Sequence, residues 1–316
     1  MASAAGRPAH AGQCGMARPP MSTASGAASR QGAWLDLLRL PVVFSAWSNI
    51  LAAHLIATAG SPHWRLLWLQ LAITTCLFAA GTTLNDCFDR DRDRRDKPER
   101  PLPSGRIAPA AAWGAGFGLL AAGVLLGATA GLAPLLVVTA LAATLIAYDA
   151  GLKRGALGPP VMGLGRALNW LLGLSAAPAL APYLLLTLPV FLYAMSTSLL
   201  RRAESAGGRR RAVLPATVML GVALAAALVL YPLGILTDPY ALALTALTGA
   251  LLLRRLLRLM DDPTPARVRA STEFMLLCMV PLDALLLGGD GQRLAALALL
   301  LLLLPGWFLA WRMQAV

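Results

Sequence analysis

The chain has 316 residues, 58% of them hydrophobic and only 13% charged, with a mean hydropathy of +0.66. That is too apolar for a soluble domain of ordinary composition and reads as an all-α, polytopic membrane protein. The net charge of +12 would suit a nucleic-acid partner. The basic residues, however, sit in short clusters between apolar runs, which loops on one side of a bilayer explain more simply, so no nucleic acid is expected.

Residues 1–30 are rich in Ala, Gly, Ser and Pro, carry Arg7, Arg18 and Arg30, and contain no acidic residue. They have no continuous apolar core of the kind a secretory leader needs. The segment reads as a disordered cytosolic tail ahead of a transmembrane domain over 31–316. Ten apolar runs follow, at 40–59, 66–88, 109–129, 132–149, 160–179, 183–203, 212–236, 239–259, 271–288 and 294–312. Each is close to the roughly 20 residues needed to cross a bilayer. The run 271–288 is the least secure, because it carries Glu273 and Asp283. Cys14, Cys76, Cys87 and Cys278 have no paired spacing, so neither a disulfide framework nor a zinc site is indicated.

Arg39 precedes the first run and reads as an interfacial arginine snorkelling to headgroups. Asn49, inside that run, is a candidate for a polar cavity, since amides within a membrane are costly unless they face a bundle interior. The second run leads into Asn85–Gly105, the one place where acidic residues crowd together. Asp86, Asp89 and Asp93 are spaced i, i+3, i+7 and share one helical face. Oxygen-only ligands of this kind suit Mg²⁺, held by one or two carboxylates with phosphates completing the shell. The competing reading is a solvated, salt-bridged helix end, because Arg90, Arg92, Arg94 and Arg95 are interleaved with the acids. Pro98, Pro101, Pro103 and Gly105 then end the helix and shape a loop.

The pattern Asn85-Asp86-x-x-Asp89-x-x-x-Asp93, followed by Pro98-x-Arg100-Pro101-Leu102-Pro103-Ser104-Gly105, resembles the first aspartate-rich motif of the UbiA superfamily of intramembrane prenyltransferases. The resemblance implies a nine-helix bundle, against which a tenth helix is a departure. It also implies that Asn85 and the three aspartates hold Mg²⁺ on the diphosphate of a polyprenyl donor. An allylic carbocation then forms in an apolar tunnel and is captured by an aromatic or other electron-rich acceptor.

Tyr148-Asp149-x-x-x-Lys153 resembles the family's Tyr-to-Lys segment, whose side chains approach the diphosphate. Lys153 would offset the charge that the leaving group gains, as would Arg100 of the motif loop. Next comes Gly163-x-Gly165-Arg166-x-x-Asn169-x-x-x-Gly173, with Arg166 and Asn169 one turn apart on a shared face. An intramembrane Arg is a functional candidate by default, while the glycines serve equally as helix-packing contacts. This arrangement resembles a divergent branch of the superfamily that includes EboC-like proteins.

The main departure falls at the end of the sixth run, where the family carries a second aspartate motif. Here Arg201 and Arg202 stand in that region, and Glu204 is its only carboxylate. Either an arginine neutralises the diphosphate in place of a second metal, or the chain binds or moves an isoprenoid without catalysis. A transporter unrelated to the family is a further reading, for which intramembrane charges such as Arg166 would mark a substrate path. Basic residues concentrate in the loops after the second, fourth, sixth and eighth runs, with only Arg65 and Arg293 opposite. That asymmetry predicts a cell-membrane protein with those loops and the amino terminus in the cytosol.

Overall fold

A computed structural model describes residues 24–39 and 43–305. Among these residues there are helices and turns and no strand. Helix α1 (Ala24–Leu38) is followed by α2 (Phe44–Ala57), α3 (Trp64–Asp96), α4 (Pro109–Ala130) and α5 (Leu132–Ala150). Then come α6 (Gly158–Leu174), α7 (Thr187–Ser205), α8 (Arg210–Val229) and α9 (Pro239–Leu259). The last three are α10 (Pro265–Leu277), α11 (Met279–Gly289) and α12 (Arg293–Leu299).

Seven helical segments are long and apolar enough to cross a membrane: 64–96, 109–130, 132–150, 181–205, 210–229, 239–259 and 265–289. The sequence predicts about ten crossings; the first and fifth runs form shorter helices. The 14 residues of α2 rise only about 21 Å and the 17 of α6 about 26 Å, against roughly 30 Å of hydrocarbon. The last run is described only as far as residue 305. Of the tail expected over 1–30, residues 1–23 lie outside the described residues, and from Ala24 the backbone is already helical.

Local chemistry sets the breaks. Pro109, Pro239 and Pro265 each open a helix at its first turn, where a missing N–H goes unnoticed. Pro281 lies past the first turn of the final long span and cannot donate to the carbonyl of Leu277. There the span divides into α10 and α11.

Helix α6 packs against α2, α5 and α7, while α2 also meets α3 and α11. Trp170 and Leu174 of α6 join Ile56 of α2 and Leu286 and Leu287 of α11 in one buried cluster. A second cluster runs through α7–α10. At one end of the bundle, Ala33 and Leu37 of α1 bury against Cys87, Leu102, Ile107 and Ala112. That contact seats α1 on the loop following α3. Leu125, Val218 and Leu247 remain exposed on the outer faces of α4, α8 and α9, an apolar belt that suits lipid rather than water.

Candidate active site

Only the outward face of the acid-rich end of α3 is a solvated, salt-bridged helix end, with Asp91 and Asp96 exposed beside Arg94 and Arg92. Asp86 and Asp89 are 4% exposed and Asp93 2%, whereas the interleaved Arg92 and Arg94 side chains are each 53% exposed. The helical face that carries three carboxylates is the one turned inward. Buried carboxylates survive only with partners, and each finds a cation. Arg39 donates to Asp86 Oδ1 at 2.6 Å. Arg100, returned by the proline-rich loop, donates to Asp93 Oδ2 at 2.6 Å and reaches Asp86 at 3.4 Å. Lys153 lies 2.9 Å from Asp89 Oδ2 and 3.3 Å from Asp149 Oδ1.

Asp149 completes this set. It is 5% exposed and accepts a hydrogen bond from Asn85 Nδ2 at 2.7 Å, so α3 and α5 are bridged at the motif. The signal for it was present as an i, i+4 acid–base pair with Lys153. Arg39 differs from the headgroup-snorkelling role expected of it: a buried carboxylate is a stronger attractor than the interface, and the side chain turns inward to Asp86.

Beside the acids opens a cavity of about 330 Å³. Its polar wall includes Arg39, Asn85, Tyr148, Asp149, Arg166, Asn169 and Arg201, and its apolar wall includes Leu77, Phe78, Leu145 and Met279. Arg166 donates to Ser45 O at 3.1 Å and to Asn49 Oδ1 at 3.2 Å. Asn169 donates to Ala46 O at 3.0 Å and accepts from Thr74 Oγ1. These bonds hold α6 against α2 and α3 with the guanidinium facing the cavity. Gly173 permits the approach, since a Cβ there would lie 2.6 Å from Ala53 Cβ and 2.9 Å from Ile50 O.

Arg202 and Glu204 are placed elsewhere. Arg202 donates to the carbonyls of Lys153 and Gly155, clamping the α5–α6 connection. Glu204, a turn beyond Arg201, accepts from Arg269 of α10 at 2.8 Å. Neither lines the cavity, and Asp86, Asp89, Asp93, Arg100 and Lys153 sit just behind its lining, whereas Arg201 is part of it.

The donor set fits Mg²⁺ by chemistry. Asp86, Asp89 and Asp93 offer only oxygens, and the buried Asp89 Oδ1 accepts no hydrogen bond, with Arg154 as a cation 3.8 Å away. Among the described residues, no three such side chains already converge on one point. A shell completed by phosphate oxygens meets that limit.

A model of the UbiA prenyltransferase family matches residues 46–277. The chain is 30% identical over 184 residues to a digeranylgeranylglyceryl phosphate synthase of Sulfolobus acidocaldarius, spanning 57% of this chain and 66% of that one. A 4-hydroxybenzoate octaprenyltransferase of Cupriavidus necator is 38% identical over 74 residues, 23% of each chain. The chain thus spans less than two-thirds of the length of these relatives. A solved UbiA homologue from Archaeoglobus fulgidus, bound to GPP and Mg²⁺, superposes with a TM-score of 0.64 at 16% identity, covering 85% of this chain and 99% of that one.

Proposed function

The chain belongs to the UbiA prenyltransferase family, and from that premise we propose that it is a Mg²⁺-dependent membrane prenyltransferase. It moves a prenyl group from a polyprenyl diphosphate to an aromatic or other electron-rich acceptor. One observation carries the reading: three buried carboxylates sit on the inward face of α3, next to Arg39, Asn85 and Asp149, which line a cavity that is cationic at one wall and apolar at the other.

In this assignment Asp86, Asp89 and Asp93, with Asn85 alongside, would hold Mg²⁺ at the diphosphate-binding end of the site. The metal neutralises phosphate charge when bound. Arg39, Arg100 and Lys153 exchange carboxylate partners for phosphate oxygens, so every charge keeps a counter-charge on binding. Arg166, Asn169 and Tyr148 line the path of the reacting carbon, while Asn49 backs Arg166. The C1–O bond of the donor breaks with its electron pair leaving on diphosphate. The apolar wall excludes water from the allylic cation until the acceptor supplies a new electron pair and loses a proton.

Arg201 supplies a fixed cation at the end of α7. Arg202 and Glu204, expected from the sequence to bind substrate, are assigned to the scaffold of that end. A second reading, a family member that binds an isoprenoid without turning it over, draws on this basic replacement of an acidic motif. We also assign the motif end of the bundle to the cytosol, in keeping with its basic loops.

The experiment is diphosphate release from farnesyl and geranylgeranyl diphosphate by the protein in nanodiscs, with phenolic and indolic acceptors present. Release should require Mg²⁺, vanish with EDTA, and fall about a hundredfold or more in Asp86→Asn. Mg²⁺-dependent binding without release supports the non-catalytic reading. Absence of binding overturns both.

A further inference from the structure

One buried carboxylate has no part in the mechanism above. Asp283 of α11 is 0% exposed and lies beyond the residues that the family model matches. It accepts from Ser48 Oγ at 2.5 Å, from Asn49 Nδ2 at 2.9 and 2.7 Å, and from Trp170 Nε1 at 2.8 Å. All four bonds come from neutral groups. Among the described residues, no Lys or Arg forms a salt bridge with it.

We propose that Asp283 is a positioning residue, which fixes the Arg166 guanidinium at the cavity wall by orienting the Asn49 amide between them. The inference rests on the prenyl-diphosphate reading of that cavity. An amide can present either its oxygen or its nitrogen, and only its surroundings decide. Both Asp283 oxygens lie within hydrogen-bond reach of the Asn49 nitrogen and accept from it, which places the nitrogen on the Asp283 side. The Asn49 oxygen is then aimed at Arg166 Nη1, 3.2 Å away, and Asn169 Nδ2, 3.4 Å away. Asp283 and the Arg166 guanidinium are thereby linked through one polarised amide in a low-dielectric interior, where such hydrogen-bond chains reinforce each other.

The competing account is a polar core that merely fastens α11 to α2 and α6. Such a core would be insensitive to which end of the Asn49 amide faces Arg166, whereas a positioning device would not. Asp283→Asn replaces one of the two oxygens that accept from Asn49 Nδ2 by a donor, so the Asn49 amide is held less firmly and its oxygen is freer to leave Arg166.

The test is a mutant cycle on the full chain in nanodiscs, reading Mg²⁺-dependent affinity for geranylgeranyl thiolodiphosphate. Asp283→Asn should weaken binding about tenfold in the native background, as expected for a hydrogen bond to a charged group. In the Arg166→Ala background it should cost less than about twofold, because coupling vanishes with the partner. The swap Asn49→Asp with Asp283→Asn keeps one carboxylate and one amide in the chain and should restore most of the affinity, which also guards against simple misfolding. An equal loss in both backgrounds, or a lower melting temperature with unchanged affinity, overturns the proposal. A ligand-free arm follows phenylglyoxal modification of Arg166 by peptide mass spectrometry. The rate should rise in Asp283→Asn and return in the swap. If the native protein binds no prenyl diphosphate, the functional reading fails, and this arm alone decides the positioning: an unchanged rate overturns it.

Discussion

Lys153 answers for two buried carboxylates at once, Asp89 and Asp149. Removing one partner of a buried ion pair leaves an uncompensated charge, typically a loss of about 3–5 kcal/mol. Lys153→Ala should therefore melt well below the native protein in nanodiscs without any ligand. Adding Asp149→Asn, which removes one of the stranded charges, should recover part of the loss. Equal melting of Lys153→Ala and the native protein would show that these acids find solvent or other cations instead. The sequence made this site partly legible for a local reason. Asp86, Asp89 and Asp93 share a helical face by spacing, and Lys153 stands in a recognisable segment. Arg39 pairs with an acid 47 positions away, and Asp283 binds partners 113 and 234 positions away. No local period encodes such pairs, so each was visible only as a charge in an awkward place.

Most apolar runs located their helices, because burial and lipid both demand apolar length. Their ends were harder to place: α3 runs on to Asp96 where the apolar run stops at 88, and α8 ends at Val229 rather than 236. Their number as membrane crossings was less legible, since length alone does not separate a full span from a short helix packed inside the bundle. The first run is such a case. As α2 it makes up for its length by close packing, and its contact with α6 depends on Gly173. Gly173→Leu would drive a branched side chain into Ala53 and the Ile50 carbonyl. That clash should push α2 from α6 and pull Asn49 away from Arg166 and Asn169. Diphosphate release should drop about tenfold or more while the protein still inserts, since small shifts of positioned groups cost rate steeply. Gly221→Leu, at a position with nothing within 4 Å of an added Cβ, provides the control. Equal activity in both variants would remove the α2–α6 contact from the mechanism.

Across the whole molecule, the connections after α3, α5, α7 and α9 gather at one end and are tied there by charge. Lys153 joins α3 to the α5–α6 connection, Arg202 clamps that connection from α7, and Glu204 holds Arg269 of α10. At the other end Arg293 is paired with Asp238 and stacked over Tyr240 at 4.4 Å, which leaves that side still less basic. A bilayer that retains positive loops on its cytosolic face should therefore hold the motif end inside. Cysteine labelling can read this directly, after the four native cysteines are replaced. Ser61→Cys, exposed between α2 and α3, should react with an impermeant maleimide in intact cells. Ala206→Cys, exposed after α7, should react only once the membrane is opened. The reverse pattern would place the aspartates on the outer face, where a prenyl diphosphate made in the cytosol could not reach Asp86 without first crossing the membrane.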